Sequence, residues 1–179
     1  QYEMFKDRNI LLFTMDSTGI DKPGFSPSEA SILKNIDGIV RDAPGRIILA
    51  TFASQVERII EFLKSARRYG KKVLIEGRSM RNNVEIIKHL NLVDTSDIVS
   101  IEEIEKYPPN KIMIIATGAQ GEEFAALMRM SNRTHKYVRL QRSDTIVLSS
   151  SVIPGNDRAV EKLKDNLFRH DCKIITYLD

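Results

Sequence analysis

The sequence predicts a three-layer α/β domain built on a doubly wound, mostly parallel β-sheet. Short apolar runs rich in β-branched residues alternate with segments whose apolar residues recur at helical spacing. Most of these runs are continuously apolar, which is typical of strands covered on both faces. Strand–helix–strand units of this length imply right-handed crossovers between parallel strands, so helices are expected on both faces of the sheet.

Six apolar runs are predicted strands. They lie at 10–15, 46–51, 72–76, 111–116, 145–149 and 173–177. Residues 97–100 are a weaker candidate, which we expect at an edge of the sheet. No internal repeat, low-complexity stretch or linker divides the chain, so the strands are predicted to form one domain.

The segments between the strands carry helical patterns. Residues 55–69 place apolar side chains at the i, i+3, i+4 and i+7 positions of one face, and Gly70 is predicted to end that helix. Further helices are predicted over 80–90 and 156–170, the second capped by Asn156. A fourth helix is predicted to begin where a capping serine, a proline and an acid occur together, at 26–29.

Composition is that of a soluble globular protein. The 179 residues are 42% apolar and 28% charged, and no apolar run approaches the ~18 residues that span a bilayer. The single cysteine, Cys172, excludes an internal disulfide and fits a reduced, cytoplasmic setting, where we expect it as a small apolar filler near the last strand. Gln1 is an unusual natural start, which suggests that the chain was cut from a longer protein.

Basic residues are clustered although the net charge is only +3. The clusters lie at 67, 68, 71 and 72, and at 129, 133, 136, 139 and 142. Such clusters attract a polyanion, and a solvated basic face is the alternative.

Polar and glycine-rich turns follow five of the predicted strands. They lie at 16–18, 51–54, 77–80, 117–122 and 149–156. Ligands of open parallel sheets bind beyond the carboxyl ends of the strands, and helices that begin there offer free amides to anions. Any one turn is also explained as a plain strand-to-helix connection, but together the five predict a phosphate or nucleotide site.

The chain lacks several common catalytic motifs. Neither G-x-x-x-x-G-K-[ST] nor an early G-x-G-x-x-G occurs, which argues against an ordinary NTPase or dinucleotide-dependent dehydrogenase. His89, His135 and His170 are too far apart for an H-x-H or H-E-x-x-H zinc site. His89 and His170 are expected to stabilise helix ends, whereas for His135, in a basic turn, a phosphate contact is the second interpretation. No self-sufficient catalytic set is predicted.

In chain order, these turns resemble the β-CASP domain of the ribonuclease J family. The matching segments are 16–18, 22–29, 45–48, 51–54, 70–73, 77–80, 117–122 and 149–156. The resemblance implies that 1–179 form one β-CASP domain excised from a larger metallo-β-lactamase/β-CASP protein. β-CASP nucleases of mRNA 3′-end processing or DNA repair match the segments 23–29 and 153–156 less well.

The resemblance implies a zinc-dependent ribonuclease with 5′-to-3′ exonuclease and endonuclease activities in cytoplasmic RNA processing and decay. In that family a metallo-β-lactamase domain holds two zinc ions, and RNA lies between it and the β-CASP domain. The family's H-x-H-x-D-H motif is missing here, so this fragment is expected to bind no zinc and to be inactive alone. The implied partners are RNA, the metallo-β-lactamase domain of the same chain and further copies in a homo-oligomer.

Asp16 matches the acidic residue of the first β-CASP motif. The resemblance implies a supporting catalytic role, in which Asp16 orients a histidine that this chain does not contain. An Asp that caps its own turn through backbone hydrogen bonds is an equally compatible interpretation.

The resemblance implies RNA phosphate contacts at two of the turns. The residues are Ser54, Gln55, Val56, Arg78 and Ser79. Ser54 matches a serine that contacts an RNA phosphate, a task that suits a hydroxyl at a helix start. The family has Asn at the position of Gln55 and His at that of Glu57, so the local charge is more negative here.

The alternative function is a stand-alone module that binds a nucleotide or RNA without nuclease activity. Both hypotheses use the same polar rim of the sheet. They differ in whether a segment with the H-x-H-x-D-H motif flanks the chain.

Overall fold

A computed structural model describes residues 3–15, 23–25, 27–123 and 125–176. These residues form a five-stranded, all-parallel sheet in the order β2-β3-β1-β4-β5. The strands are β1 (Ile47–Ala50), β2 (Lys72–Glu76), β3 (Ile112–Ala116), β4 (Thr145–Leu148) and β5 (Lys173–Ile175). The predicted α/β class with a parallel sheet is confirmed.

Helices cover both faces of the sheet. They are α1 (Glu29–Asp42), α2 (Val56–Arg68), α3 (Arg78–His89), α4 (Ile101–Ile104), α5 (Ala126–Ser131) and α6 (Asp157–Phe168). Short 3₁₀ turns lie at Glu3–Phe5 and Pro109–Lys111. Buried side chains of α1, α2 and α3 pack on one face, and those of α4, α5 and α6 pack on the other. Alternate strand residues serve the two cores, which explains the continuously apolar runs.

The predicted strand at 10–15 is wrong. In the structure these residues form no strand, Leu11 is fully exposed and Leu12 is 79% exposed. Apolar content alone does not make a strand, because a strand also needs a neighbour with which to exchange backbone hydrogen bonds. None of the five described strands pairs with this segment.

The weaker candidate at 97–100 lies where it was expected, at an edge of the sheet, although it is too short for a strand. Ile98 forms a single parallel bridge with Val73 of β2. The Val73 amide donates to the Asp97 carbonyl (2.9 Å), and the Val99 amide donates to the Val73 carbonyl (3.0 Å). The segment therefore covers the outer edge of β2.

Helix starts differ in part from the prediction. Helix α1 is capped by Ser28, whose hydroxyl accepts from the Ser31 amide at 3.2 Å, while Ser26 lies outside the described residues. Asn156 precedes α6 as expected, but its side chain makes no cap. Gly70, with a φ of 61°, follows the end of α2 as predicted.

The strand order locates a crevice. After β1 the chain continues to β2, which lies at one end of the strand order. After β4 it continues to β5, which lies at the opposite end. Connections that diverge in this way open a cleft between neighbouring strands at their carboxyl ends. In this fold the cleft lies between β1 and β4.

Candidate functional site

The cleft at the carboxyl ends of β1 and β4 opens into a groove of about 1010 Å³. Most of this groove runs between α1 and the strands β4 and β5. At its carboxyl end it is lined on one side by Phe52 and Gln55, in the turn after β1 and at the start of α2. On the other side lies the start of the segment between β4 and α6, which we call the 149–156 loop. Two of the turns predicted to bind phosphate therefore face each other.

The structure places five of the six predicted site residues at this edge of the sheet. Ser54 is exposed in the turn before α2, Gln55 is the N-cap of α2, and Val56 is its first residue. Arg78 and Ser79 are exposed in the first turn of α3, which follows β2. The sixth, Asp16, lies outside the described residues, so its role stays a prediction.

The two groups are not adjacent, because β3 separates β1 from β2. At about 4.8 Å per strand, the ends of β1 and β2 are roughly 10 Å apart. The Asn83 side chain of α3 joins them by donating to the carbonyl of Ala53, next to Ser54. The starts of α2 and α3 thus form one connected surface.

Helices α2 and α3 begin without a side-chain cap. The Gln55 side chain instead accepts from the Thr51 hydroxyl, through Oε1 at 2.6 Å. Helices α5 and α6 are likewise uncapped, whereas Ser28 caps α1 and Ser100 forms a capping box at α4. In α2 the Val56 amide already donates to the Ser54 carbonyl at 2.9 Å, which leaves the next amides of the first turn, at the positive end of the helix dipole, for an anion.

Gly77 makes the start of α3 possible. Its φ is 110°, and a Cβ there would come within 2.4 Å of the Thr117 hydroxyl oxygen. A side chain at this position would therefore force the turns after β2 and β3 apart. Helix α3 also has no acid in its first turn, whereas α2 has Glu57. The start of α3 is thus the more electropositive of the two.

Arg58 is the buried cation beneath this surface, and the sequence reasoning missed it. Its guanidinium forms a bidentate pair with the Glu29 carboxylate, at 2.7 and 2.6 Å. Its third nitrogen, Nη1, donates to the carbonyl of Ser149 at the start of the 149–156 loop. Arg58 therefore ties α1, α2 and the loop together.

The Arg58 guanidinium also sets the charge state of Glu29. Its hydrogen bonds and positive charge hold the pKa of the Glu29 carboxyl below the ordinary 4.5, although partial burial acts in the opposite direction. The pair is therefore charged at neutral pH. One signal in the sequence points to Arg58: it stands four residues before Phe62, on the apolar face of α2.

His135 does not face a phosphate. Its ring is buried, and Nε2 lies 3.3 Å from the Glu76 carboxylate while Nδ1 accepts from the Val138 amide at 3.1 Å. Burial raises the pKa of Glu76, but the hydrogen bond from His135 and the charge of Arg81 outweigh it, so the pKa is lowered. The phosphate interpretation of His135 is wrong, because the ring is buried and both of its nitrogens have partners within the protein.

The other two histidines lie apart from the site. His170 follows α6, and its Nε2 is 2.7 Å from the Ser131 carbonyl at the end of α5, while His89 is exposed in the last turn of α3. Over the part of the chain that the structure describes, no three His, Cys, Asp or Glu residues come close enough to hold a metal ion. Cys172 is buried next to β5, as expected.

The two basic clusters differ. In the first, Arg67 pairs with Asp94 at 2.7 Å, Arg68 with Asp37 at 2.8 Å, and Lys72 with Asp97 at 2.7 Å. These internal pairs favour the interpretation of a solvated face. In the second cluster, at 129, 133, 136, 139 and 142, no ion pair with an acid is present among the described residues.

Comparison with known proteins gives a consistent result. The family described as "Ribonuclease J, beta-CASP domain" matches residues 44–167. Ribonuclease J of Mycoplasma genitalium is 44% identical over 163 residues, which are 90% of this chain and 29% of that protein. The Mycolicibacterium smegmatis protein of the same name is 41% identical over 95% of this chain and 31% of its own length. Thermus thermophilus ribonuclease J is 38% identical over 160 residues, which are 89% of this chain and 28% of that protein.

The chain thus spans just under a third of these curated relatives. Among its described helices, none has the length and apolar character needed to cross a membrane.

Proposed function

Because the chain belongs to the ribonuclease J family, as its β-CASP domain, we propose that it is the RNA-binding, capping domain of a zinc-dependent ribonuclease. The observation that carries this proposal is that α2, beside the cleft between β1 and β4, and α3, two strands away, both begin at the carboxyl edge of the sheet without a side-chain cap. Backbone amides and hydroxyls at such a start bind phosphate oxygens without reading the base. This suits an enzyme that degrades RNA of many sequences.

In this proposal, Ser54 and the first amides of α2 bind one phosphate of the RNA backbone. Arg78 and Ser79, two strands away, bind a second part of the same strand. Arg58 is too buried to reach RNA, and it holds the two walls of the cleft in place through Glu29 and Ser149. Asp16 keeps its proposed supporting role near the reacting phosphate.

Zinc belongs to the parent enzyme in this proposal. The described residues do not fit a zinc site, since His135 and His170 are engaged elsewhere and no acidic cluster adjoins His89. The family resemblance implies that a metallo-β-lactamase domain holds the metal, which would activate water for attack on a phosphodiester. The fragment alone is accordingly proposed to be inactive.

The proposal extends to the setting of the parent: a cytoplasmic, homo-oligomeric enzyme with exonuclease and endonuclease activities in RNA processing and decay. The stand-alone binding module is the competing hypothesis. Sequencing the gene on either side decides between them, because only the nuclease requires a flanking H-x-H-x-D-H segment.

Ser54→Ala in the full-length parent tests the phosphate contact. Losing one hydrogen bond to a charged phosphate should weaken binding by about 1.5–3 kcal/mol, which is roughly ten- to a hundred-fold in Kd. The measurement is the affinity for 5′-monophosphorylated RNA, with the zinc ligands mutated to prevent cleavage. Ser143→Ala is the matched control, because Ser143 is exposed just before β4, at the opposite edge.

Glu57→Gln, at the same helix start, should change RNA affinity in the opposite direction to Ser54→Ala. Removing the acid from the first turn of α2 should strengthen RNA binding by about two- to five-fold at low salt. A gain of affinity does not arise from partial unfolding. If Ser54→Ala and Glu57→Gln both leave the Kd unchanged, α2 does not bind the phosphate.

A further inference from the structure

Gln120 lies in the turn after β3 and is only 2% exposed. Both polar atoms of its side-chain amide form hydrogen bonds with the 149–156 loop. Its Nε2 donates to the Ser150 hydroxyl at 3.0 Å and to the Ser151 carbonyl at 2.9 Å. Its Oε1 accepts from the Ile153 amide at 2.9 Å and lies 3.4 Å from Nδ2 of Asn156. One side chain thus spans most of the loop.

The orientation of this amide is determined by backbone groups. The Ile153 amide can only donate, so it requires an oxygen, and the Ser151 carbonyl can only accept, so it requires the NH₂ group. A flipped amide would oppose like groups at both points. The Asn156 side chain is directed to Gln120, which explains why it does not cap α6.

The neighbouring residue, Gly121, brings the turn close to α6. Its φ is 73°, and a Cβ there would come within 2.3 Å of the Ala159 carbonyl oxygen. The turn after β3 is therefore seated directly against the first turn of α6. Gln120 reaches the loop from a fixed position rather than from a mobile one.

The 149–156 loop is held from two directions. Arg58 binds the Ser149 carbonyl from the α2 side, and Gln120 binds residues 150–156 from the side of β3 and α6. Ser151 is exposed beyond these anchors, on the wall of the groove opposite Gln55. The loop thus presents a hydroxyl and backbone groups across the cleft from the proposed phosphate contact at Ser54.

We propose that Gln120 is a positioning residue, which holds the 149–156 loop in the shape that contacts the RNA backbone opposite Ser54. The inference rests on the proposed function. Gln120 itself does not touch RNA, because its amide is buried and fully engaged by the loop. Its effect is transmitted by the loop's shape alone.

The test is Gln120→Met in the full-length parent, which keeps the length of the side chain and removes its hydrogen bonds. The KM for 5′-monophosphorylated RNA should rise about ten-fold, because several neutral hydrogen bonds that shape the loop are lost, while kcat stays within about two-fold. A merely structural role would instead lower the melting temperature and the active fraction without changing KM.

Amide hydrogen exchange in the same variant reports on the loop directly. Exchange at 150–156 should accelerate at least ten-fold, whereas exchange in β1 should not change. Gln120→Glu should raise KM in the same direction, because it sets a carboxylate oxygen against the Ser151 carbonyl. Gln141→Glu is the matched control, since Gln141 is exposed and lies outside the groove.

The outcomes separate the two proposals. If the parent does not bind RNA, or Ser54→Ala and Glu57→Gln have no effect, the proposed function fails. If those variants act as expected and Gln120→Met leaves KM unchanged, only the role of Gln120 fails. Should Gln120→Met not fold, Ser150→Ala removes one of its acceptors, and the expectation is then a KM increase of about three-fold; an unchanged KM would overturn the inference.

Discussion

Two bidentate ion pairs lie at opposite ends of the strands, one at the amino ends and one at the carboxyl ends. Their surroundings differ. At the amino edge, Arg46 binds Asp144 at 2.9 and 2.6 Å and also donates to the Arg139 carbonyl. At the carboxyl edge, Arg58 binds Glu29 at 2.7 and 2.6 Å and also donates to the Ser149 carbonyl. The chemistry of the two clusters is nearly the same.

The difference lies in what each pair supports. The Asp144 carboxylate is fully buried and accepts in addition from the Gln141 amide, so this cluster closes on itself. Glu29 is 45% exposed, and its partner holds a loop beside a cleft with uncapped helix starts. A self-contained ion pair contributes stability alone, whereas one that anchors a cleft wall contributes stability and shape.

The largest effect is expected for Asp144→Ala. It leaves the Arg46 charge poorly compensated next to a buried strand, which should lower the free energy of unfolding by about 3–5 kcal/mol. Urea unfolding of the chain measures it, with Asp42→Ala in the exposed Arg41–Asp42 pair as a control that should not change stability measurably. A loss below about 1 kcal/mol would mean that the cluster of Arg46, Asp144 and Gln141 is not a closed structural unit.

A smaller loss of stability, about 2 kcal/mol, is expected for Arg58→Met, because Glu29 can turn toward water once its partner is gone. Unlike Asp144→Ala, this variant should also weaken RNA binding by the folded parent, since Ser149 loses its anchor. Urea unfolding and the Kd for 5′-monophosphorylated RNA together measure the two effects. If Arg58→Met lowers the free energy of unfolding but leaves the Kd unchanged, Arg58 contributes stability alone, as Arg46 does.

The smallest effect concerns pH. Hydrogen bonds from Arg58 lower the pKa of Glu29 in the folded chain, so its contribution to stability is present above the ordinary 4.5 and is lost as pH falls through the lowered folded value. Unfolding of wild type and Glu29→Gln should therefore differ most at neutral pH and converge in acid. If the free energies of unfolding of the two proteins differ by the same amount down to acid pH, the Arg58–Glu29 pair is not a charged pair.

Much of the fold follows from the sequence because buried strands of a parallel sheet are continuously apolar, as β1, β3 and β4 are. The run at 10–15 shows the limit of that rule, since the pattern records apolarity and not the presence of a pairing strand. Ser54 could be assigned to the carboxyl edge because it lies in the short turn that follows β1.

The supporting residues could not be predicted in the same way. The partners of Arg58 are 29 and 91 residues away, and those of Gln120 are 30 to 36 residues away. Such pairs arise only when helices and turns pack, and no local spacing encodes them. The phosphate interpretation of His135 failed for the same reason, because its partner Glu76 is 59 residues distant.

The two outer edges of the sheet bear on whether a strand of another molecule can pair with it. An unprotected edge strand is a template on which another molecule can add a strand. Here β2 is covered by the bridge at Ile98, and β5 is only three residues long and begins with the exposed Lys173. Short, charged or covered edges disfavour edge-to-edge aggregation, so the sheet is protected from polymerisation by its own margins.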